Sequence, residues 1–210
     1  MKRITIITGM ALALGASSAF ADVTAQTGVY VGGDLGWSFP ENPSKNTVSA
    51  SSVSNRNFTW GGTLGFNYAI NQNFMAGVEV GYQNFGKNTY SYSSSGLSIA
   101  TKNYGVQILA TATYLMSNGF NVFGKLGAID QTTNASGSFI GFSADKDFTQ
   151  WLPAAAIGVG YMPTQNVNIA LQYERTFGAD WDNKTTFNTT NPKPMTQNAF
   201  TLGVTYTFPI

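Results

Sequence analysis

The chain alternates bulky apolar residues with small or polar residues at a period of two along most of its length. In the clearest run, residues 58–70, the even positions carry large apolar side chains, with Gly62 as the exception. The odd positions of the same run carry only Thr, Gly, Asn and Ala. Successive side chains of a β-strand point to opposite faces, so this pattern predicts a strand between two unlike environments.

Seven further runs show the same alternation. They cover residues 29–37, 74–83, 103–114, 121–128, 150–161, 167–174 and 200–208. Short polar connections at 71–73, 117–119 and 163–166 alternate with long connections rich in Ser, Asn, Thr and Gly at 39–56, 86–100, 130–147 and 178–196. An even strand number with alternating short turns and long loops is typical of outer-membrane barrels. We therefore predict an all-β fold, an eight-stranded antiparallel up-and-down transmembrane β-barrel.

The placement of charge decides between a membrane barrel and a soluble one. Only 10% of the residues are charged, and within the predicted strands the candidates are Asp34, Glu79, Lys125 and Glu174, all on the small, Gly-rich face. A soluble barrel needs a charged exterior, whereas a Lys or Arg facing lipid at the bilayer centre costs about 2–4 kcal/mol. The apolar face is therefore expected to face lipid. A soluble lipocalin-like ligand binder is the weakest alternative.

Aromatic residues, 14% of the chain, gather near both ends of the predicted strands. Amphipathic rings favour the two membrane interfaces, so two aromatic belts bracketing a band of Val, Leu, Ile and Ala indicate a membrane-spanning wall. The short turns are expected to face the periplasm and the long loops the outside of a Gram-negative cell.

The N-terminus has the pattern of a secretory signal. Lys2 and Arg3 precede an apolar stretch, and Ala19 and Ala21 form a small-x-small cleavage site. We expect residues 1–21 to be a cleaved signal peptide and residues 22–210 to be the barrel domain. Removing Lys2 and Arg3 leaves 9 basic and 10 acidic residues, a balance that does not favour a nucleic-acid partner.

The C-terminal run 201–208 resembles the assembly signal of outer-membrane barrels, with Gly203, Tyr206 and Phe208 at the matching positions. The chain departs from that pattern by ending on Pro-Ile instead of on the aromatic residue. The opening strand, 28–37, and residues 152–175 resemble the OmpA-like and opacity-type small porin families. The resemblance implies insertion by the barrel-assembly machinery, and surroundings of outer-membrane lipids and lipopolysaccharide.

The composition argues against a catalytic site or a thiolate metal site. The chain has no Cys and no His, so thiolate metal sites are excluded and a Ser nucleophile lacks its usual base. Lipid-modifying enzymes among barrels of this type need a His near a Ser, by resemblance. The acids Asp145, Asp147, Asp180 and Asp182 lie in Ser- and Asn-rich stretches and are interpreted as solubilising. We expect no catalytic site, no metal and no cofactor, and hence not an enzyme.

The four strand charges should share the barrel interior, which in an eight-stranded barrel is only wide enough for side chains. Buried charges must pair, so Glu79, Lys125, Glu174 and Asp34 are predicted to form a polar network around Lys125 that plugs the lumen. OmpA-like barrels hold a comparable acidic and basic cluster, by resemblance. Whether the network is static or gates a small pore is left open.

Two functions follow from the predicted fold. The first is a scaffold that presents four surface loops for adhesion, binding host or other surface ligands, because recognition residues concentrate on loops of rigid scaffolds. The second is a narrow passive channel for small solutes or ions. Bulky inward residues would favour the scaffold and small ones the channel, and the sequence leaves this point open.

Overall fold

The computed structural model describes residues 23–40, 52–53, 57–92, 97–139, 142–178 and 196–210. These ranges contain eight long strands: β1 (Gly28–Pro40), β2 (Asn57–Ala69), β3 (Phe74–Tyr92), β4 (Leu97–Leu115), β5 (Phe120–Phe139), β6 (Phe142–Tyr161), β7 (Val167–Thr176) and β8 (Gln197–Pro209). A two-residue strand, Ser52–Val53, pairs with the end of β3. Within the described ranges, no helix has the length and apolar character that crossing a bilayer requires.

Each long strand pairs antiparallel with the next along the chain. The last strand returns to the first, since β8 pairs with β1 from Gly28 opposite Pro209 to Pro40 opposite Gln197. Closure leaves no sheet edge within the membrane-spanning wall, so the backbone amides there are paired within the barrel, as a lipid environment requires. The predicted eight-stranded up-and-down barrel is confirmed.

The apolar face of the wall points outward. Leu64, Leu126 and Ile157 are 59%, 69% and 66% exposed, whereas Glu79 on the opposite face is 2% exposed. A continuous apolar exterior of this extent marks a surface that contacts lipid. The soluble alternative is wrong, because such a barrel would have its large apolar side chains inside and its charges in water.

The predicted extent of two long loops is wrong. Residues 86–100 and 130–147 are largely strand, because β3 continues to Tyr92, β4 begins at Leu97, β5 continues to Phe139 and β6 begins at Phe142. Polar cross-strand pairs hold the second of these hairpins together: Thr132 bonds Thr149 at 3.0 Å, and Asn134 donates to Asp147 at 2.5 Å. Beyond the bilayer no strand face is required to contact lipid, so the hydrophobic alternation that marks a membrane strand disappears. Most of the other two predicted loops, 39–56 and 178–196, lies outside the described residues.

Candidate functional site

The centre of the lumen is an ion pair between Lys125 on β5 and Glu79 on β3, two strands separated by β4. Lys125 Nζ lies 2.9 and 3.0 Å from the two carboxylate oxygens of Glu79. The hydroxyl of Tyr30 on β1 donates a third hydrogen bond to Glu79 Oε2 at 2.7 Å. The Glu79 side chain is 1% exposed and that of Lys125 16%. The pair therefore ties non-neighbouring strands together across the interior with charge-assisted hydrogen bonds.

The other two predicted lumen acids are held by amide side chains. Asp34 Oδ1 accepts from Gln83 Nε2 at 3.2 Å, and the same amide donates to a threonine of β2. Glu174 Oε2 accepts from Gln172 Nε2 at 3.1 Å, while its Oε1 has no hydrogen-bond partner among the described residues. The structure thus brings Lys125 and Glu79 into contact, and places Asp34 and Glu174 on the same inner face without a direct bond to Lys125.

The glycines of the inner face leave room for the large side chains that enter the lumen. Gly65 lies directly opposite Tyr30, and a Cβ at Gly65 would overlap the tyrosine ring. A Cβ at Gly158 would overlap the ring of Phe123 in the same way. Because the opposite residue is a glycine, each ring fits inside a barrel that is too narrow for two large residues side by side.

Tyr30 and Gln83 are site residues that sequence reasoning did not single out. The alternation places both on the inner face, but it carries no information about contacts between strands. The size of its side chain could have identified Tyr30, because the residues that follow it on the inner face of β1 are the smaller Gly32, Asp34 and Gly36. A large polar side chain on a face of small residues indicates a specific partner across the lumen.

A cavity of about 110 Å³ lies beside the ion pair, on its periplasmic side. Its walls carry the charged groups of Asp34, Glu79 and Lys125, together with Gln107 and Thr111. Gln107 Oε1 and Thr111 Oγ1 are buried and have no hydrogen-bond partner among the described residues. A polar cavity of this size has room for several water molecules, which would satisfy such groups.

An apolar cluster lies in the lumen on the extracellular side of the ion pair, among buried polar side chains such as Gln131 and Gln197. Its members come from five strands and are all nearly or fully buried: Phe85, Leu109, Ile129, Leu152, Ala154 and Ala199. None of them lines the cavity. In this half of the barrel, bulky buried side chains such as Phe85 and Leu152 occupy the interior.

The segment Val23–Thr27 covers the periplasmic mouth. Val23 is buried against Leu115 and Met162 at the periplasmic ends of β4 and β6. The amide of Ala25 donates to the carbonyl of Gln72 in the β2–β3 turn at 2.9 Å. These contacts reach strand ends on opposite sides of the barrel, so the segment crosses its periplasmic opening.

The predicted assembly-signal residues lie on β8. Tyr206 and Phe208 point outward with their ring centroids 4.8 Å apart, and Gly203 faces Asp34 on the inner side. The predicted cleavage residues, Ala19 and Ala21, lie outside the described residues. So do the predicted loop acids Asp180 and Asp182, whereas Asp145 and Asp147 belong to β6.

The family model of the outer membrane protein β-barrel domain matches residues 8–208. The chain belongs to this outer-membrane β-barrel family. Its location is therefore the outer membrane of a Gram-negative bacterium, which confirms the sequence prediction.

Curated relatives in the family include outer membrane protein A of Yersinia pseudotuberculosis, 31% identical over 180 residues that make up 83% of this chain and 48% of that protein. The chain spans about half the length of the curated relatives it matches. Among solved structures, Neisserial surface protein A has a TM-score of 0.52 at 17% identity, covering 88% of this chain and 99% of that one. Ail of Yersinia pestis, solved with the heparin analogue sucrose octasulfate, has a TM-score of 0.50 at 14% identity, covering 89% and 100%. These two likenesses concern the fold.

Proposed function

We propose that this barrel is a scaffold that anchors and presents extracellular segments for adhesion or other surface interactions. The observation that carries the proposal is the length of the β3–β4 and β5–β6 hairpins. Their strands have 19 or 20 residues, whereas about 9–11 residues suffice to cross a bilayer. The surplus of roughly ten residues adds about 30 Å of strand to each arm of the hairpins beyond the membrane.

The closed lumen supports a scaffold over a channel. Solutes would have to pass the apolar cluster on one side of the ion pair and the Val23–Thr27 segment on the other. We interpret the Lys125–Glu79 pair as a static tie between strands. Single-channel recording of Lys125→Ala tests this role, with no conductance expected in either the variant or the parent barrel. A variant that conducts where the parent does not would support a gate instead.

The remaining partners follow from the family and the location. We propose that signal peptidase cuts after Ala21, that the barrel-assembly machinery reads the end of β8, and that lipopolysaccharide surrounds the outer rim. Outward-facing Tyr206 and Phe208 support the second of these steps, because their rings are accessible from outside the wall. No catalytic role is proposed, since the sequence contains neither His nor Cys.

Shortened hairpins test the scaffold directly. In one variant an Asn-Gly turn replaces residues 135–146, leaving Asn134 opposite Asp147 as in the parent register. The matched variant replaces residues 88–101 in the same way, so that Lys87 and Lys102 remain opposite each other. Ail has been solved with a heparin analogue, and a heparin-coated surface is therefore the first adhesion surface to try with cells that express the barrel.

We expect at least one shortened variant to lose most of the adhesion of the parent cells. Heat-modifiable electrophoretic migration serves as the control that the variant still folds and inserts. If both variants insert normally and the cells adhere as well as the parent to heparin and to host-cell monolayers, the scaffold proposal is wrong.

A further inference from the structure

Two lysines lie side by side on the outer face of the wall. Lys87 on β3 is directly opposite Lys102 on β4, and both side chains are exposed. Directly opposite residues of antiparallel strands have Cβ atoms about 5 Å apart, and like charges there repel. Within the described ranges neither lysine has an ion pair or a hydrogen bond to its side chain. The wall therefore holds two adjacent positive charges, and within the described ranges no ion pair with a carboxylate neutralises either of them.

A β-bulge puts Lys87 on this face. Even positions of β3 point outward as far as Asn84, as the exposed Val78 and Val80 show. The register then shifts, since Asn84 lies opposite Tyr104 while Gly86 lies opposite Asn103, so that Phe85 is the extra residue. Without the extra residue, Lys87 would have the inward parity of the odd positions. Bulges commonly re-aim a side chain in this way.

The bulge is held firmly in place. Gly86 has φ +80, and its amide donates to the side chain of Asn84 at 2.9 Å. Hydroxyls of Ser38 and Thr59 donate to the carbonyls of Phe85 and Asn84 at 2.5 and 2.6 Å. A Cβ at Gly86 would lie 2.8 Å from the neighbouring strand β2, so both the backbone conformation and the space require glycine.

An aromatic row lies directly below the lysines. The rings of Trp60 and Tyr82 are 5.5 Å apart, and those of Tyr82 and Tyr104 are 6.2 Å apart. Tyr104 and Lys102 are two residues apart on one face of β4, which is about 7 Å along the strand. Because barrel strands are tilted by about 45°, the lysine lies about 5 Å further from the bilayer centre. Aromatic rows lie at headgroup level. Both ammonium groups therefore reach the level of the phosphates in the outer leaflet.

We propose that Lys87 and Lys102 bind a phosphate group of a phosphorylated glycolipid in the outer leaflet, with the row Trp60, Tyr82 and Tyr104 against its acyl chains. An anion between the two ammonium groups turns their repulsion into attraction, and Lys is a common point-charge ligand of phosphate. The inference deepens the lipopolysaccharide part of the proposed function, and it depends on the outward orientation of the wall.

The test compares the parent barrel with Lys87→Gln/Lys102→Gln in phosphatidylcholine nanodiscs. Titration with fluorescent bis-phosphorylated lipid A measures lipid binding, and dephosphorylated lipid A measures the contribution of the acyl chains alone. We expect the double variant to bind the phosphorylated lipid about thirtyfold more weakly, and each single variant about fivefold. Binding of the dephosphorylated lipid should not change. Arg175→Gln, which removes a charge from the outer rim on the opposite side of the barrel, is the matched control.

Three results would overturn the inference. The double variant could bind like the parent, Arg175→Gln could weaken binding as strongly, or a soluble phosphorylated disaccharide could compete at the affinity of the whole lipid. The last result would indicate a site for soluble anions. Adhesion through the hairpins has a separate readout, so a failure here leaves the scaffold proposal standing, and a failure there leaves this one.

Discussion

At the scale of single residues, large side chains enter the lumen where a neighbouring strand offers a glycine. Tyr30 lies against Gly65 and reaches Glu79 across the space that a Cβ would fill. The same strand contains Gly62, which faces outward with no heavy atom closer than 3.9 Å to an added Cβ. Of these two glycines on one strand, Gly62 therefore has space for an added side chain and Gly65 does not, because they lie on opposite faces.

We expect Gly65→Ala to destabilise the barrel by about 1–3 kcal/mol, since an added methyl group displaces the Tyr30 ring and its hydrogen bond. Gly62→Ala should change the free energy of unfolding by no more than about 0.5 kcal/mol. Urea titration of both variants in lipid vesicles measures the difference. Equal effects at the two positions would contradict the packing argument.

Lys125 and Glu79 allow a second test at this scale. Lys125→Met leaves the carboxylate of Glu79 buried with Tyr30 as its remaining partner, and breaking such a pair costs about 3–5 kcal/mol. Adding Glu79→Gln removes the unpaired charge and keeps an acceptor for Tyr30, so the double variant should recover most of the loss. The same urea titration, arranged as a double-mutant cycle, checks this. A double variant no more stable than Lys125→Met would show that the pair contributes little.

At this scale the sequence predicts which face of its strand each residue occupies, but not which side chains of other strands it contacts. Alternation places Glu79 and Lys125 on the inner face, because that property depends on each strand alone. Their contact depends on strand tilt and register across β4, which no local pattern contains. The same reason explains why Asp34 and Glu174, on the correct face, have amide partners instead of Lys125.

At the scale of elements, the sequence predicts each strand well where lipid lies on one side and the lumen on the other. The segment 58–70 shows this, since its predicted limits nearly coincide with β2. In the extracellular hairpins no strand face is required to contact lipid. The period-two signal therefore disappears, although the pairing continues to Phe139 opposite Phe142. The sequence does not predict the position of the Val23–Thr27 segment for another reason. The segment has no regular secondary structure, and its role depends only on its contacts at the periplasmic mouth.

The Val23–Thr27 segment lies over the periplasmic side of the cavity, and Val23 anchors it there. Burying a Val is worth about 1.5 kcal/mol, so Val23→Ser should favour opening of the mouth roughly tenfold. The chain has no Cys, and a single Thr113→Cys on the cavity wall therefore reports access to a membrane-impermeant thiol reagent. We expect about tenfold faster labelling when Val23→Ser is present. The control Thr149→Cys, exposed on the extracellular hairpin, should label at the same rate in both backgrounds. Unchanged labelling of Thr113→Cys would contradict the covering role.

At the scale of the whole molecule, one orientation of the wall explains composition, closure and location together. An apolar exterior is stable only in lipid, lipid requires every backbone amide to be paired, and an even number of antiparallel strands provides that pairing by closing on itself. Charged side chains are then confined to the lumen and to the headgroup level or beyond it. Lys125 lies in the lumen, and Lys87 and Lys102 lie at the headgroup level.

The same orientation makes the cost of an added charge depend on depth. Leu64 lies near the middle of β2, 59% exposed and opposite Val31 and Val80 of the neighbouring strands. Leu64→Arg should cost about 2–4 kcal/mol in lipid vesicles, because the guanidinium would face the bilayer centre. Phe58→Arg, near the extracellular end of the same strand, should cost no more than about 1 kcal/mol beyond the loss of the ring measured with Phe58→Ala. Urea titration gives both values, with Leu64→Ala as the corresponding reference for the loss of the leucine side chain. If arginine cost the same at both depths, the wall would not lie across a bilayer as its apolar band requires, and the level assigned to the lysine pair would be wrong with it.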